Sequence, residues 1–132
     1  MPGENLAAVP SVEGAMRNPD NLNHFMVAKP VERRVRVFLG DKMLAETSKA
    51  LRLVEIGKAA YDPLLYIPMA DVILPLEPMD KTTHCPLKGD ANYFSFEGNE
   101  ISWSYLEPFE FSKAIKGHHA FWPSKVRIEE GE

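Results

Sequence analysis

A single cysteine, Cys85, among 132 residues excludes an intramolecular disulfide. No apolar run approaches the ~20 residues a membrane-spanning helix needs, so no membrane partner is expected. The opening residues MPGENLAAVP lack the basic stretch and apolar run of a secretory signal, and a cytoplasmic protein is expected. Cations are in deficit, 15 Lys and Arg against 19 Asp and Glu, for a formal charge of −4. Phosphate backbones are bound by clustered cations, so no nucleic-acid partner is expected.

Several chemical signatures are missing as well. There is no G-x-S-x-G nucleophile elbow. No D-x-D pair offers two carboxylates for a catalytic Mg²⁺, and Asp71, Asp80, Asp90 and Glu107 are scattered. His24, His84, Cys85, His118 and His119 include no C-x-x-C and no histidines at i, i+4, so neither a metal site nor a cofactor is expected. Lys88-Gly89 does not make a Walker loop, since the glycine follows the lysine and Asp90 stands where a hydroxyl residue is needed.

What remains is an ordinary globular composition, 45% apolar and 26% charged, in a length that suits one domain. Eleven prolines spread along it favour many short elements over long helices. Residues 1–32 show no sustained hydrophobic period and read as an irregular leader, with the domain beginning at residue 33. Alternation in RRVRVFLGDKMLAE predicts a hairpin turning at Gly40-Asp41, and YFSFEGNEISWSY predicts a second. Between them, TSKALRLVEIGK predicts one short α-helix, with Ala50, Leu51, Leu53 and Val54 on one face, a Thr47 or Ser48 cap and a stop at Gly57. LLYIP, DVILPL, HAFWP and KVRIEE read as further strands. The expected fold is mainly β with one short α-helix, a compact small barrel or sandwich.

The two hairpins align without gaps, Phe38 on Phe96 and Gly40 on Gly98, and Tyr66-Ile67-Pro68 matches Phe121-Trp122-Pro123. A pseudo-repeat of two halves is expected, each too small to bury a core alone. DKTTHCPLKGDANYF, residues 80–94, would link them as a loop. Strand alternation would turn His84 away from Cys85, which reads as a buried small residue or a reactive thiol. Eight Lys and Arg against four acids in residues 29–58 make either a solvated face or an anion-binding one.

RVRVFLG, AETSKALRL, YIP followed by Val72, TTHCPLKGDANYF, WSYLEP and GHHAFWP together resemble a bacterial family, domain of unknown function 427, over residues 33–130. The resemblance implies a compact, mostly β domain with a short helix. Its motif falls on Thr82, Thr83, Cys85, Lys88, Gly89, Tyr93, Trp103 and Tyr105 and assigns no role to any of them. His118 and His119 depart from the commoner pattern, and the nucleotidyltransferase label that sometimes accompanies the family finds no carboxylate pair here.

The functional expectation is a cleft between the halves that binds a small, anionic metabolite. Thr82, Thr83, Lys88 and Gly89 would hold the ligand against walls of Tyr66, Tyr93, Trp103 and Tyr105, and Cys85 is the candidate nucleophile. The alternative is a non-catalytic interaction or structural domain, with a homodimer as its simplest form.

Overall fold

The computed structural model describes residues 12–131. The first half of the chain forms β1 (Met16–Asn18), β2 (Asn21–Pro30), β3 (Val35–Leu39), β4 (Lys42–Thr47), β5 (Leu51–Ile56) and β6 (Leu64–Pro68). The second forms β7 (Glu77–Cys85), β8 (Gly89–Phe96), β9 (Asn99–Ser104), β10 (His118–Phe121) and β11 (Arg127–Glu130). Eight strands make one antiparallel sheet in the order β1-β2-β5-β6-β10-β9-β8-β7, and β11-β3-β4 make a second. Each half thus supplies four strands that approach the centre in chain order, and the halves meet where β6 pairs with β10.

The sheets share one long hairpin. β2 pairs with β5 in the large sheet and β3 with β4 in the small one, so the chain bends between sheets at residues 31–34 and again at 48–50. Across the bend, Val31 N–H donates to Ala50 O at 2.9 Å. Thr47 Oγ1 fixes the second corner, accepting from Lys49 N–H at 2.9 Å and donating to Asp71 at 2.7 Å. Such corners let strands change sheets without leaving backbone groups unpaired.

The expected α-helix over residues 47–58 is not formed: its centre is β5. The cause is burial on both faces. Leu51 and Leu53 point into one core while Val54 and Ile56 lie on the other side, so an inner strand shows apolar residues at both parities and imitates a helical arc. Helical structure among the described residues is confined to 3₁₀ turns at Met69–Asp71 and Glu110–Ile115. DVILPL, expected as a strand, begins at the end of the first of these turns and is otherwise irregular, with one bridge from Val72 to Ala45. Residues 16–30, read as irregular, form β1 and β2; residues 1–11 of that leader lie outside the described residues.

Both predicted hairpins form, each with a two-residue turn and the same bulge. After Gly40-Asp41, Phe38 pairs with Met43 but Val37 with Ala45, leaving Leu44 extra; after Glu97-Gly98, Ser95 pairs with Glu100 but Phe94 with Ser102, leaving Ile101 extra. Leu44 and Ile101 are both buried in the core between the sheets. The matching residues therefore stand one position away from the gapless alignment, and the glycine opens the first turn (φ +58°) but closes the second (φ +84°, after Glu97 at +51°).

The large sheet is covered on both sides. On its convex face Ile67, Phe96, Ile101 and Phe121 pack against Val35, Val37, Leu44 and Ala45 of the small sheet, which gives a sandwich. On its concave face Met26, Leu53, Tyr66, Trp103, Tyr105 and Ala120 form a second core with Leu87 and Ile115. The curl is pronounced: Glu55 of β5 contacts Lys88 beside β8, positions about 20 Å apart in a flat sheet at ~4.8 Å per strand. Yet β1 and β7 do not pair, so the sheet stays open and no barrel closes.

Candidate functional site

DKTTHCPLKGDANYF is a hairpin, not a loop. β7 and β8 pair Thr83 with Ala91, His84 with Asp90 and Cys85 with Gly89 around a turn at residues 86–88. Gly89 makes that turn possible. Its φ of +106° belongs to glycine, and a Cβ there would stand 3.4 Å from Glu107 O. Lys88 O accepts from Phe109 N–H at 3.2 Å, which ties the turn to the following segment.

Held this way, the turn sends Lys88 across the concave face, where it is 7% exposed. Its Nζ donates to Glu55 Oε1 and lies 5.6 Å from the centroid of the Tyr105 ring. The other carboxylate oxygen of Glu55 accepts from His24 Nε2 at 2.9 Å. Burial pushes the Glu55 carboxyl up, but Lys88 and then His24 outweigh it and hold the group below its ordinary 4.5. The result is a three-member charged chain running from β2 through β5 to the β7–β8 turn.

Around this chain the concave face is phenolic. Tyr66 Oη is buried without a hydrogen-bond partner among the described residues; burial, reinforced by Tyr105, raises its pKa well above 10, with the Trp103 indole acting the other way. Burial likewise raises Tyr105, with Cys85, Tyr93 and Glu55 adding to it. Cys85 is half-buried against the same core. Of the residues expected to form a site, Lys88, Cys85, Tyr66, Tyr93, Trp103 and Tyr105 share this face. Tyr66, Trp103 and Tyr105 are core residues here and not the walls of an open cleft. Thr83 shares a 2.8 Å hydrogen bond with Tyr93 Oη, while Thr82 alternates to the opposite side. His84 is 2.9 Å from Asp90, away from the thiol. His119 is buried, and burial lowers its pKa to about 4.

The open space lies at one end of the charged chain. A cavity of about 330 Å³ is lined by Asn18, Asn21, His24, Gly57, Lys58 and Tyr61 from the first half and Pro86 from the second. Gly57 sets its wall, because a Cβ there would stand 3.2 Å from both His24 Cδ2 and Tyr61 Cε2. By sequence, His24 was considered only as a metal ligand and Lys58 only as one of the cations of residues 29–58, and the other lining residues were not singled out for chemistry. One signal was available: Glu55 is a lone acid among the apolar residues of LRLVEI, and such a residue at an inward position calls for a buried cation.

Residues 27–132 match the family model described as Domain of unknown function (DUF427). No curated protein matches the chain.

Proposed function

The chain belongs to the Domain of unknown function (DUF427) family, and on that footing we propose that it binds a small metabolite in the cavity of the first half that Pro86 of the second half borders. One observation carries this reading. The cavity beside Pro86 is backed by a buried Lys88–Glu55–His24 chain that reaches across from the opposite half. Burying such charges is costly, and apolar replacements would hold the halves together at least as well, so their retention next to a cavity favours a binding role. The sheet order supports reading the halves as pseudo-repeats, β1-β2-β5-β6 against β7-β8-β9-β10, with the bulges at Leu44 and Ile101 as matched devices. In this reading Lys88 positions His24 through Glu55 and does not meet the ligand itself. Cys85 packs under the turn.

Native mass spectrometry of the purified protein tests the proposal, together with thermal shifts across a metabolite panel. Ligand that co-purifies with wild type and is lost in Gly57→Ala, which crowds the cavity wall, supports it. Equal occupancy in the variant sinks it.

A second reading, a protein-interaction surface, has its own observation. Phe25 stands opposite Ile56 and Val27 opposite Val54 on the convex face, and these four belong to neither core. They line an open groove of about 900 Å³ with Val12 and Pro30. A homodimer through this face would be split by Val54→Glu in light scattering, and a monomer at high concentration would dismiss it.

A further inference from the structure

The lining of this cavity is unbalanced in its hydrogen-bonding groups, and that imbalance specifies a ligand class if the cleft binds at all. Asn18 Oδ1 accepts from Asp20 N–H at 2.9 Å, and Asn21 Oδ1 accepts from Asn23 N–H at 3.2 Å. A backbone N–H can be met only by the carbonyl end of an amide, so both asparagines have that end committed and their NH₂ groups left over. The two oxygens of Glu55 are taken by Lys88 and His24. Lys58 Nζ and Tyr61 Oη make no hydrogen bond or ion pair among the described residues, and both residues line the cavity. The amide oxygens of the lining are therefore engaged within the protein, and besides the second ring nitrogen of His24 the groups left over are mainly donors: two amide NH₂ groups, one ammonium and the Tyr61 hydroxyl, which can also accept. Asp20 and Asp62, the nearest acids in sequence, do not line the space.

We infer that the cavity binds an oxyanion, the carboxylate or phosphate group of a small molecule, through Asn18, Asn21, Lys58 and Tyr61. A ligand that is an acceptor at every oxygen meets four groups able to donate, and one of them is cationic. A neutral amide or an alkylammonium would leave donors facing donors. The volume, about 330 Å³, is at the small end of the range for small-molecule sites, so the rest of the ligand is compact. This site differs from the one expected at Thr82, Thr83 and Lys88, where the cation is already neutralised by Glu55.

Titration calorimetry with benzoate, phenyl phosphate and benzamide separates the possibilities, because these share a ring and differ in the polar group. At least one anion should bind about tenfold or more tightly than benzamide, and the stronger of the two anions identifies carboxylate or phosphate as the preferred source. Asn21→Asp keeps the Oδ1 that holds its turn and replaces the donor by a charged acceptor; Lys58→Met keeps the side-chain length. Each should weaken the anion about tenfold or more while thermal unfolding stays that of wild type. Benzamide binding as tightly as the anions, with its binding lost in Gly57→Ala, overturns the oxyanion inference and leaves the cleft reading standing. No binding of any probe at millimolar concentration, with cavity resonances unmoved in the NMR spectrum, overturns both.

Discussion

Replacing Lys88 with methionine should cost stability and change the sign of one part of the response to acid. Methionine keeps most of the stem and removes the ammonium, so Glu55 is left with His24 as its remaining partner. Breaking a fully buried pair by removing one member costs about 3–5 kcal/mol. Glu55 retains His24 and some solvent, its side chain being 18% exposed, so about 2–3 kcal/mol is expected. For a domain of this size that lowers Tm by about 6–12 °C. The pH profile is more discriminating. In wild type the Glu55 carboxyl is held below its ordinary 4.5, so its stabilisation is present above that value and is lost as pH falls through the lower, folded one. Without Lys88, burial prevails and the folded value rises above the unfolded one. The penalty is then present at neutral pH and is relieved as the carboxyl protonates. The stability gap between wild type and variant should therefore shrink from pH 7 towards pH 4. Urea unfolding, followed through the emission of Trp103 and Trp122, measures it. A gap that stays constant or widens on acidification would refute the claim that Lys88 keeps a buried Glu55 ionised.

Gly89→Ala should destabilise by about 2 kcal/mol or more, since it forces a side chain into φ +106° against the Glu107 carbonyl; urea unfolding reads this, and a neutral outcome would mean the turn relaxes freely. His119 is kept neutral by burial, with a pKa lowered to about 4. Its contribution is full above the unfolded value near 6.5 and is lost as pH falls from there to about 4, so His119→Phe should flatten the stability profile in that window. Cys85, half-buried and turned away from His84, should react with iodoacetamide more slowly in the folded protein than in urea; faster labelling at pH 6 would revive it as a nucleophile.

How much of this was legible in the sequence depends on how many faces of each segment are covered. β3 alternates cleanly, with Val35 and Val37 buried and Arg36 between them, and it was read correctly together with its turn. β9 and the end of β8 were found from the second hairpin, whereas the start of β8 and all but the first residues of β7 fall in the stretch read as a loop. β5 was misread because both its faces are apolar, which erases the period of two that marks a strand. β2 was missed because NLNHFMVAKP begins with three exposed residues, Leu22 between two asparagines, and carries its lone histidine inward, towards an acid 31 positions away. The central motif was read as a linking loop, and its pairing as β7 and β8, which puts Lys88 and Cys85 against one core, was not foreseen. That Lys88 is consumed by Glu55 follows only from the curl of the sheet, which no local pattern encodes. The cavity residues are ordinary by type: two asparagines, a lysine and a tyrosine become a set only because the pairing of β2 with β5 brings residues 18–24 beside residues 57–61.

The long bent hairpin bears on how the molecule folds. β2 and β5 stitch the first half of the large sheet while β3 and β4, on the same two runs of chain, stitch the small one, and β11 closes on β3 from the far end of the sequence. Neither sheet can melt without unravelling a shared backbone, so the protein should behave as one cooperative unit with no stable fragment corresponding to either layer. Since the final strand must find a partner about 90 residues away, assembly should be slow for a chain this short. Removing the last strand would expose an edge of β3 and leave the first half carrying an unfinished layer.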